Sequence, residues 1–138
     1  MTRTKHSVLA LAILSIGALG SAIALGAALN VALSGANEVP PVKTAAAGKG
    51  TITVGDDGSV SGSVTTTGVQ GLAAHIHTGA ADKNGPVIIP LTKDGDTYKV
   101  PACAKLTPDQ MKAFKAGELY VNVHSADNKG GEIRAQLK

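Results

Sequence analysis

Three histidines are the residues of this sequence whose type and spacing best suit chemistry. His75 and His77 are two residues apart in one alternating segment, and His124 ends another. Side chains at i and i+2 of a β-strand leave from the same face, so these two imidazoles would start from Cβ atoms roughly 7 Å apart. Imidazoles at this spacing can reach one ion, and copper and zinc favour such ligands. The alternative is that all three are solvent-exposed or hydrogen-bonded surface residues.

Charged residues accompany His124 on the polar face of a predicted hairpin. Tyr120 and Asn122 precede it in phase, and Glu132 and Arg134 lie across the turn. The simpler interpretation is a cross-strand surface ion pair. In the functional interpretation, Glu132 accepts the N–H of a ligand imidazole and Arg134 attracts an anion.

Cys103 is a further candidate ligand. A single cysteine cannot form a disulfide within the chain, and three roles stay open for it: a buried inert thiol, a link between molecules, or a thiolate ligand. No Gly-x-Ser-x-Gly element and no phosphate-binding glycine loop occurs, and the Asp pairs at 56–57 and 94–96 read as turns. The sequence therefore predicts no catalytic residue.

Short alternating segments separated by Gly, Asp and Asn turns must position these side chains. Leu72, Ala74 and Ile76 are expected to share a buried face, opposite His75 and His77. Seven or so strands with turns every 8–12 residues predict a Greek-key-like antiparallel β-sandwich. The predicted strands are 51–54, 59–65, 72–77, 87–91, 97–100, 118–124 and 132–137.

One segment, about 107–116, departs from the β pattern. Thr107 suits an N-cap, Pro108 the first helical position and Gln110 a capping box. Met111 and Phe114 are three residues apart, so one face of this short helix is expected to press both onto the sheet.

The N-terminus predicts export. Arg3 and Lys5 precede a long uncharged, apolar run, and small residues at 22–24 fit a cleavage site, with 26–28 as the second choice. We expect a signal peptide at residues 1–24, a lead-in at 25–32 and one domain at 33–138; an uncleaved membrane anchor is the alternative. Cleavage places the protein outside the cytoplasm, periplasmic or secreted, without a stable membrane span.

Removal of the signal also changes the charge. The chain has 13 basic and 10 acidic residues, and loss of Arg3 and Lys5 leaves 11 against 10. No basic cluster remains, and aromatic residues make up only 2% of the chain, so neither backbone attraction nor base stacking supports nucleic-acid binding.

Five ordered motifs together resemble the CHRD domain, which is named for its repeats in chordin and also occurs singly in exported microbial proteins. They span about residues 33–137, and the resemblance implies an extracytoplasmic β-sandwich but little about reaction. The motifs are LSGANEVPPV (33–42), AAHIHTGA (73–80), NGPV (84–87), GELYVNVHS (117–125) and GGEIRAQL (130–137).

A second, narrower resemblance links the histidines to the copper site of copper/zinc superoxide dismutases. It implies His75, His77 and His124 as copper ligands and Arg134 as an anion guide, whereas the zinc-site histidines and the disulfide have no counterpart. Three hypotheses follow: a binding protein for copper, or for zinc, through these histidines; a copper-only dismutase-like enzyme; or a metal-free extracellular interaction module.

Overall fold

The computed structural model describes residues 26–138, and the predicted signal peptide lies outside them. Nine strands, one α-helix and a short 3-10 turn (Gly35–Asn37) make up this part of the chain. The strands and helix are β1 (Ala27–Ser34), β2 (Ala47–Val54), β3 (Val60–Thr67), β4 (Gly71–Thr78), β5 (Val87–Pro90), β6 (Thr92–Asp94), β7 (Thr97–Lys99), α1 (Pro108–Lys115), β8 (Leu119–Ser125) and β9 (Ile133–Gln136).

All nine strands belong to one antiparallel sheet in the order β5-β4-β8-β9-β1-β2-β3-β7-β6. Its two edge strands, β5 and β6, are separated in sequence by Leu91 alone. The Leu91 N–H donates to the Ala74 carbonyl (2.9 Å), so the sheet nearly closes on itself. This architecture confirms the predicted all-β class with one short helix.

The core inside this sheet is aliphatic, as the composition indicates. Alternate residues of each long strand point into it, which is the pattern expected of strands with one face against a core. Tyr98 is the one aromatic residue in the buried core cluster of the described chain. The largest fully buried aliphatic members are Leu33, Ile52, Val64, Ile76, Leu119, Val121, Val123, Ile133 and Leu137.

The segment expected to be a lead-in, residues 25–32, is mostly strand in the structure. β1 pairs with β2 over its whole length, from Ala27 opposite Val54 to Ser34 opposite Ala47. Val31 and Leu33 alternate with exposed neighbours and are buried. The small alanines of β1 obscure this alternation in the sequence, but Val31 and Leu33 still place two large side chains on one face for the core.

The helix forms as its caps predict. The Thr107 side chain accepts from the Gln110 N–H (3.2 Å), and the Gln110 side chain accepts from the Thr107 N–H (2.9 Å). These bonds satisfy two of the donors that a helix leaves free at its start. Met111 and Phe114 pack against the core as partly buried residues.

The predicted burial of Leu72 in β4 is wrong. Leu72 is 63% exposed, whereas Ala74 and Ile76 are buried. The pairing with β8 shifts between Gly71 and Ala73, which are opposite consecutive residues of the partner strand. This bulge resets the alternation, so Leu72 leaves the face that its spacing from Ala74 assigns to it.

The polar face of the β8–β9 hairpin is covered rather than exposed to solvent. Asn122 and Arg134 are each only 1% exposed, and Tyr120 is buried as well. Two segments contact this face. The Asn37 side chain, from the 3-10 turn, donates to the Arg134 carbonyl (3.1 Å), and the Arg134 guanidinium donates to the Ala80 carbonyl in the segment between β4 and β5 (2.8 Å). The protein therefore has a second, polar interior outside the sheet, and the histidines border it.

Candidate metal centre

Two neighbouring strands bring the three histidines together. His75 and His77 leave β4 on the face away from the core, and His124 leaves the same face of β8. In the pairing of β4 with β8, His75 lies opposite Asn122, and His124, two residues after Asn122, lies opposite Ala73. One nitrogen from each imidazole lies within 4.8 Å of the other two, and the described residues contain no other group of three or more potential metal ligands. The predicted convergence of His75, His77 and His124 is thus present.

Backbone carbonyls determine which nitrogen of two imidazoles carries the proton. The Nδ1 of His77 lies 2.9 Å from the Gly85 carbonyl, and the Nδ1 of His124 lies 2.8 Å from the Lys129 carbonyl. A carbonyl only accepts, so each Nδ1 must donate and each Nε2 keeps its lone pair. The Nε2 of His124 accepts from the Nδ1 of His75 across 3.0 Å. The Nε2 atoms of His77 and His124 are therefore the ring nitrogens that keep a lone pair.

The surroundings also favour uncharged imidazoles. Burial lowers the pKa of His75, and repulsion from His124 and His77 lowers it further. Burial lowers the pKa of His77 too, although the hydrogen bond to the Gly85 carbonyl opposes this effect. Neutral imidazole is the form that can bind a metal ion, so both shifts favour that form of His75 and His77.

The His77 ring packs on Tyr120, which in turn contacts Arg134. Its ring lies parallel to that of Tyr120, with centroids 4.7 Å apart and 6° between the planes. On Tyr120 the guanidinium carbon of Arg134 is 3.5 Å from the ring centroid, a cation–π contact. The Tyr120 hydroxyl also accepts from the N–H of Gly85, the residue whose carbonyl holds His77 (3.1 Å).

Arg134 is committed to the loop between β4 and β5. Its guanidinium donates to the carbonyls of Ala80 (2.8 Å) and Lys83 (3.0 Å) and to the side chains of Asn84 (3.3 Å) and Gln136 (3.1 Å). Because the side chain is buried and most of its donors are used, it is not available to a solvent anion. The structure places Arg134 as a clamp on the loop that orients His77, in place of the expected anion guide.

The other two candidates lie apart from the imidazoles. The Glu132 carboxylate accepts from the hydroxyls of Thr44 (2.7 Å) and Ser125, and these hydrogen bonds, that of Ser125 first, lower its pKa. The imidazole N–H groups that it was expected to accept go to backbone carbonyls instead. Cys103 is exposed in the connector before α1 and does not belong to the histidine group.

Two residues next to the site escaped the sequence analysis in this role. Glu38, in the segment after the 3-10 turn, is only 4% exposed, and Asn122 lies beside it. Burial raises the pKa of Glu38 to about 7, although the charge of Arg134 and a hydrogen bond from Asn122 oppose this effect. The phase of Asn122 with His124 was the available signal; Glu38 carried none, since its partners are distant in sequence.

A comparison against protein-family models identifies the same family as the five ordered motifs. The CHRD domain model matches residues 29–137, most of the chain. The chain belongs to the CHRD domain family. The domain therefore starts within β1, and the motifs that frame His75, His77 and His124 lie inside it. Comparisons with curated proteins and with solved structures give no significant match. Within residues 26–138, no helix of this CHRD protein has the length and apolarity needed to cross a membrane.

Proposed function

We propose that this CHRD protein is exported and binds one copper ion, with zinc as the alternative metal, through His75 Nδ1, His77 Nε2 and His124 Nε2. The observation that carries the proposal is the pair of carbonyls, of Gly85 and Lys129, that hold the outer N–H of two imidazoles. They turn the lone pairs inward, as the outer partners of metal-bound histidines do.

The nitrogen separations are compatible with either metal. Ligands at right angles on a tetragonal copper(II) ion are about 2.8 Å apart for bonds of about 2.0 Å, and those on tetrahedral zinc are about 3.3 Å apart. His75 Nδ1 and His124 Nε2 are 3.0 Å apart. The widest separation, up to 4.8 Å, exceeds the roughly 4 Å of two opposite ligands, and small side-chain rotations close this gap.

Binding requires one proton to move. In the metal-free protein the Nδ1 proton of His75 lies between His75 and His124. His75 ligates only after that proton leaves Nδ1, either to solvent or to its own Nε2. Uptake therefore weakens on acidification, and the lowered pKa values of His75 and His77 move this weakening to lower pH.

A titration of the exported protein with copper(II) and zinc(II) tests the site. We expect one equivalent of copper to bind, and a His77→Ala, His124→Ala double variant to lose it. Cys103→Ser is the matched control, because it removes the exposed thiol that could bind copper adventitiously and leaves the histidines intact. Equal copper uptake by the double variant and the wild type would contradict the proposal.

Export rests on the apolar N-terminus together with the family. Cleavage after residue 24 predicts a mature chain that begins at Leu25, and the second site predicts Leu29. Mass spectrometry of the protein from the extracytoplasmic fraction distinguishes these two products. Full-length protein in the membrane fraction would instead identify an uncleaved anchor.

The two other hypotheses have less support. A copper-only dismutase-like enzyme was expected to use Arg134 to attract superoxide, and that guanidinium is buried under the β4–β5 loop. A metal-free interaction module does not explain why three imidazoles converge.

A further inference from the structure

Asn122 lies at the buried side of the histidine group. It belongs to β8 between Tyr120 and His124, on their face of the strand, and is paired with His75 across the ladder. Its side chain is almost completely buried. A side chain at this position points into the space that the three imidazoles border.

The hydrogen bonds of Asn122 determine which end of its amide faces the histidines. The Nδ2 group donates to the Gly130 carbonyl across 3.3 Å, and because a carbonyl can only accept, the NH2 end must face it. The Glu38 carboxyl lies on the same side of the amide. Gly131 makes this approach possible, because a Cβ there would overlap both the Asn122 nitrogen and the Glu38 carboxylate.

The carbonyl end of the amide therefore faces away from the Gly130 carbonyl, towards His77, and the Asn122 side chain is close enough to raise the pKa of that imidazole. Asn122 Oδ1 and His77 Nε2 are both buried and have no hydrogen-bond partner. Two acceptors side by side cannot satisfy each other, and each such buried orphan costs about 1–3 kcal/mol. A cation between them would satisfy both lone pairs at once.

We propose that Asn122 Oδ1 is an oxygen donor of the same metal centre, and that Glu38 is the positioning residue that holds this oxygen towards the ion. The inference rests on the proposed function and adds a fourth, buried ligand to the three imidazoles. A neutral amide oxygen suits the weak axial position of a tetragonal copper(II) site. The competing occupant is a single water molecule that donates to both orphan atoms.

Copper(II) spectroscopy of Asn122→Leu tests the inference. Leucine branches at the same carbon as asparagine and has no donor atom. In the full chain recovered after export and loaded with one equivalent of copper(II), we expect changed electron paramagnetic resonance parameters and a shifted visible absorption band. Affinity, from competition with a chelator, should fall about tenfold, the lower end of the range for changes around a metal ligand set.

Two further variants make the result decisive. Thr66→Val is the matched control, since Thr66 is a buried polar residue on β3, and its replacement should destabilise the fold without changing the copper spectrum. Glu38→Gln serves if Asn122→Leu does not fold. Above pH 7 the variant replaces a carboxylate that attracts the Asn122 NH2 group by a neutral amide, so the Asn122 amide can turn over, and the spectrum should shift in the same direction.

The outcomes separate the two proposals. A wild-type protein that binds no copper refutes the proposed function and this inference together. Copper binding that depends on His77 and His124 but keeps the wild-type spectrum and affinity in Asn122→Leu refutes only the role of Asn122. In that case a water molecule is the partner of the two orphan atoms.

Discussion

Replacement of Glu38 by glutamine should remove a pH dependence of stability whose size the structure predicts. Burial raises the pKa of Glu38 from 4.5 to about 7 in the folded protein, against the opposing effects of Arg134 and Asn122. The folded state thus holds this proton more tightly than the unfolded state. The resulting stabilisation is complete below pH 4.5 and is lost as the pH rises through 7. At about 1.4 kcal/mol per pKa unit, the loss is at most about 3 kcal/mol.

Urea unfolding of metal-free protein, in the presence of a chelator, measures this effect at several values between pH 4.5 and 8. Relative to wild type, Glu38→Gln should gain up to about 3 kcal/mol over that interval, since its amide stays neutral. Any pH-independent cost of the substitution cancels in the comparison. So do the contributions of His75 and His77, whose lowered pKa values act in the opposite direction.

Glu132→Gln is the control of opposite sign. The hydroxyls of Ser125 and Thr44 lower the pKa of Glu132, so this carboxylate contributes stability above the unfolded pKa and loses it on acidification. The variant should therefore differ most from wild type at neutral pH, through a loss of stability. A difference between Glu38→Gln and wild type that stays constant from pH 4.5 to 8 would refute a desolvated Glu38 carboxyl.

Three further substitutions test the loop beside the site and two elements of the fold away from it. Arg134→Met should cost about 3 kcal/mol, because it removes a charged hydrogen-bond donor from the β4–β5 loop; faster amide exchange in residues 79–86 checks the clamp, and unchanged exchange would contradict it. Cys103→Gly should stabilise the fold by about 0.5–1 kcal/mol, since Cys103 has φ 63°; a lower thermal midpoint would count against this. Thr107→Ala should cost about 1 kcal/mol through loss of the N-cap, measured by urea unfolding, and an unchanged midpoint would show that the cap is dispensable.

Local rules account for what was predicted correctly. The start of α1 follows from Thr107 and Gln110, whose side chains bond to backbone groups three residues away. The strand faces follow from alternation, and with them the shared face of His75 and His77. That His124 would join them could be proposed from its phase, because phase decides the face of a strand and a metal needs ligands from one side.

Pairing and coverage were not available from local patterns. The bulge that exposes Leu72 is a property of two strands together. Whether a polar face meets solvent or another part of the chain depends on loops that the alternation of β8 and β9 does not describe. Arg134 was therefore expected on the surface, and no role was expected for Glu38.

Spacings within a few residues were enough to predict the fold class, the helix and the three histidines as a candidate set. The proton positions on His77 and His124 depend on the loops that follow their strands, because the carbonyls of Gly85 and Lys129, eight and five residues away, come back to the two rings. The burial of Asn122 beside Glu38 required the tertiary structure, since Glu38 belongs to a segment distant in sequence. Residue types and strand faces thus follow from local spacing, whereas burial follows from contacts between segments that only the folded chain brings together.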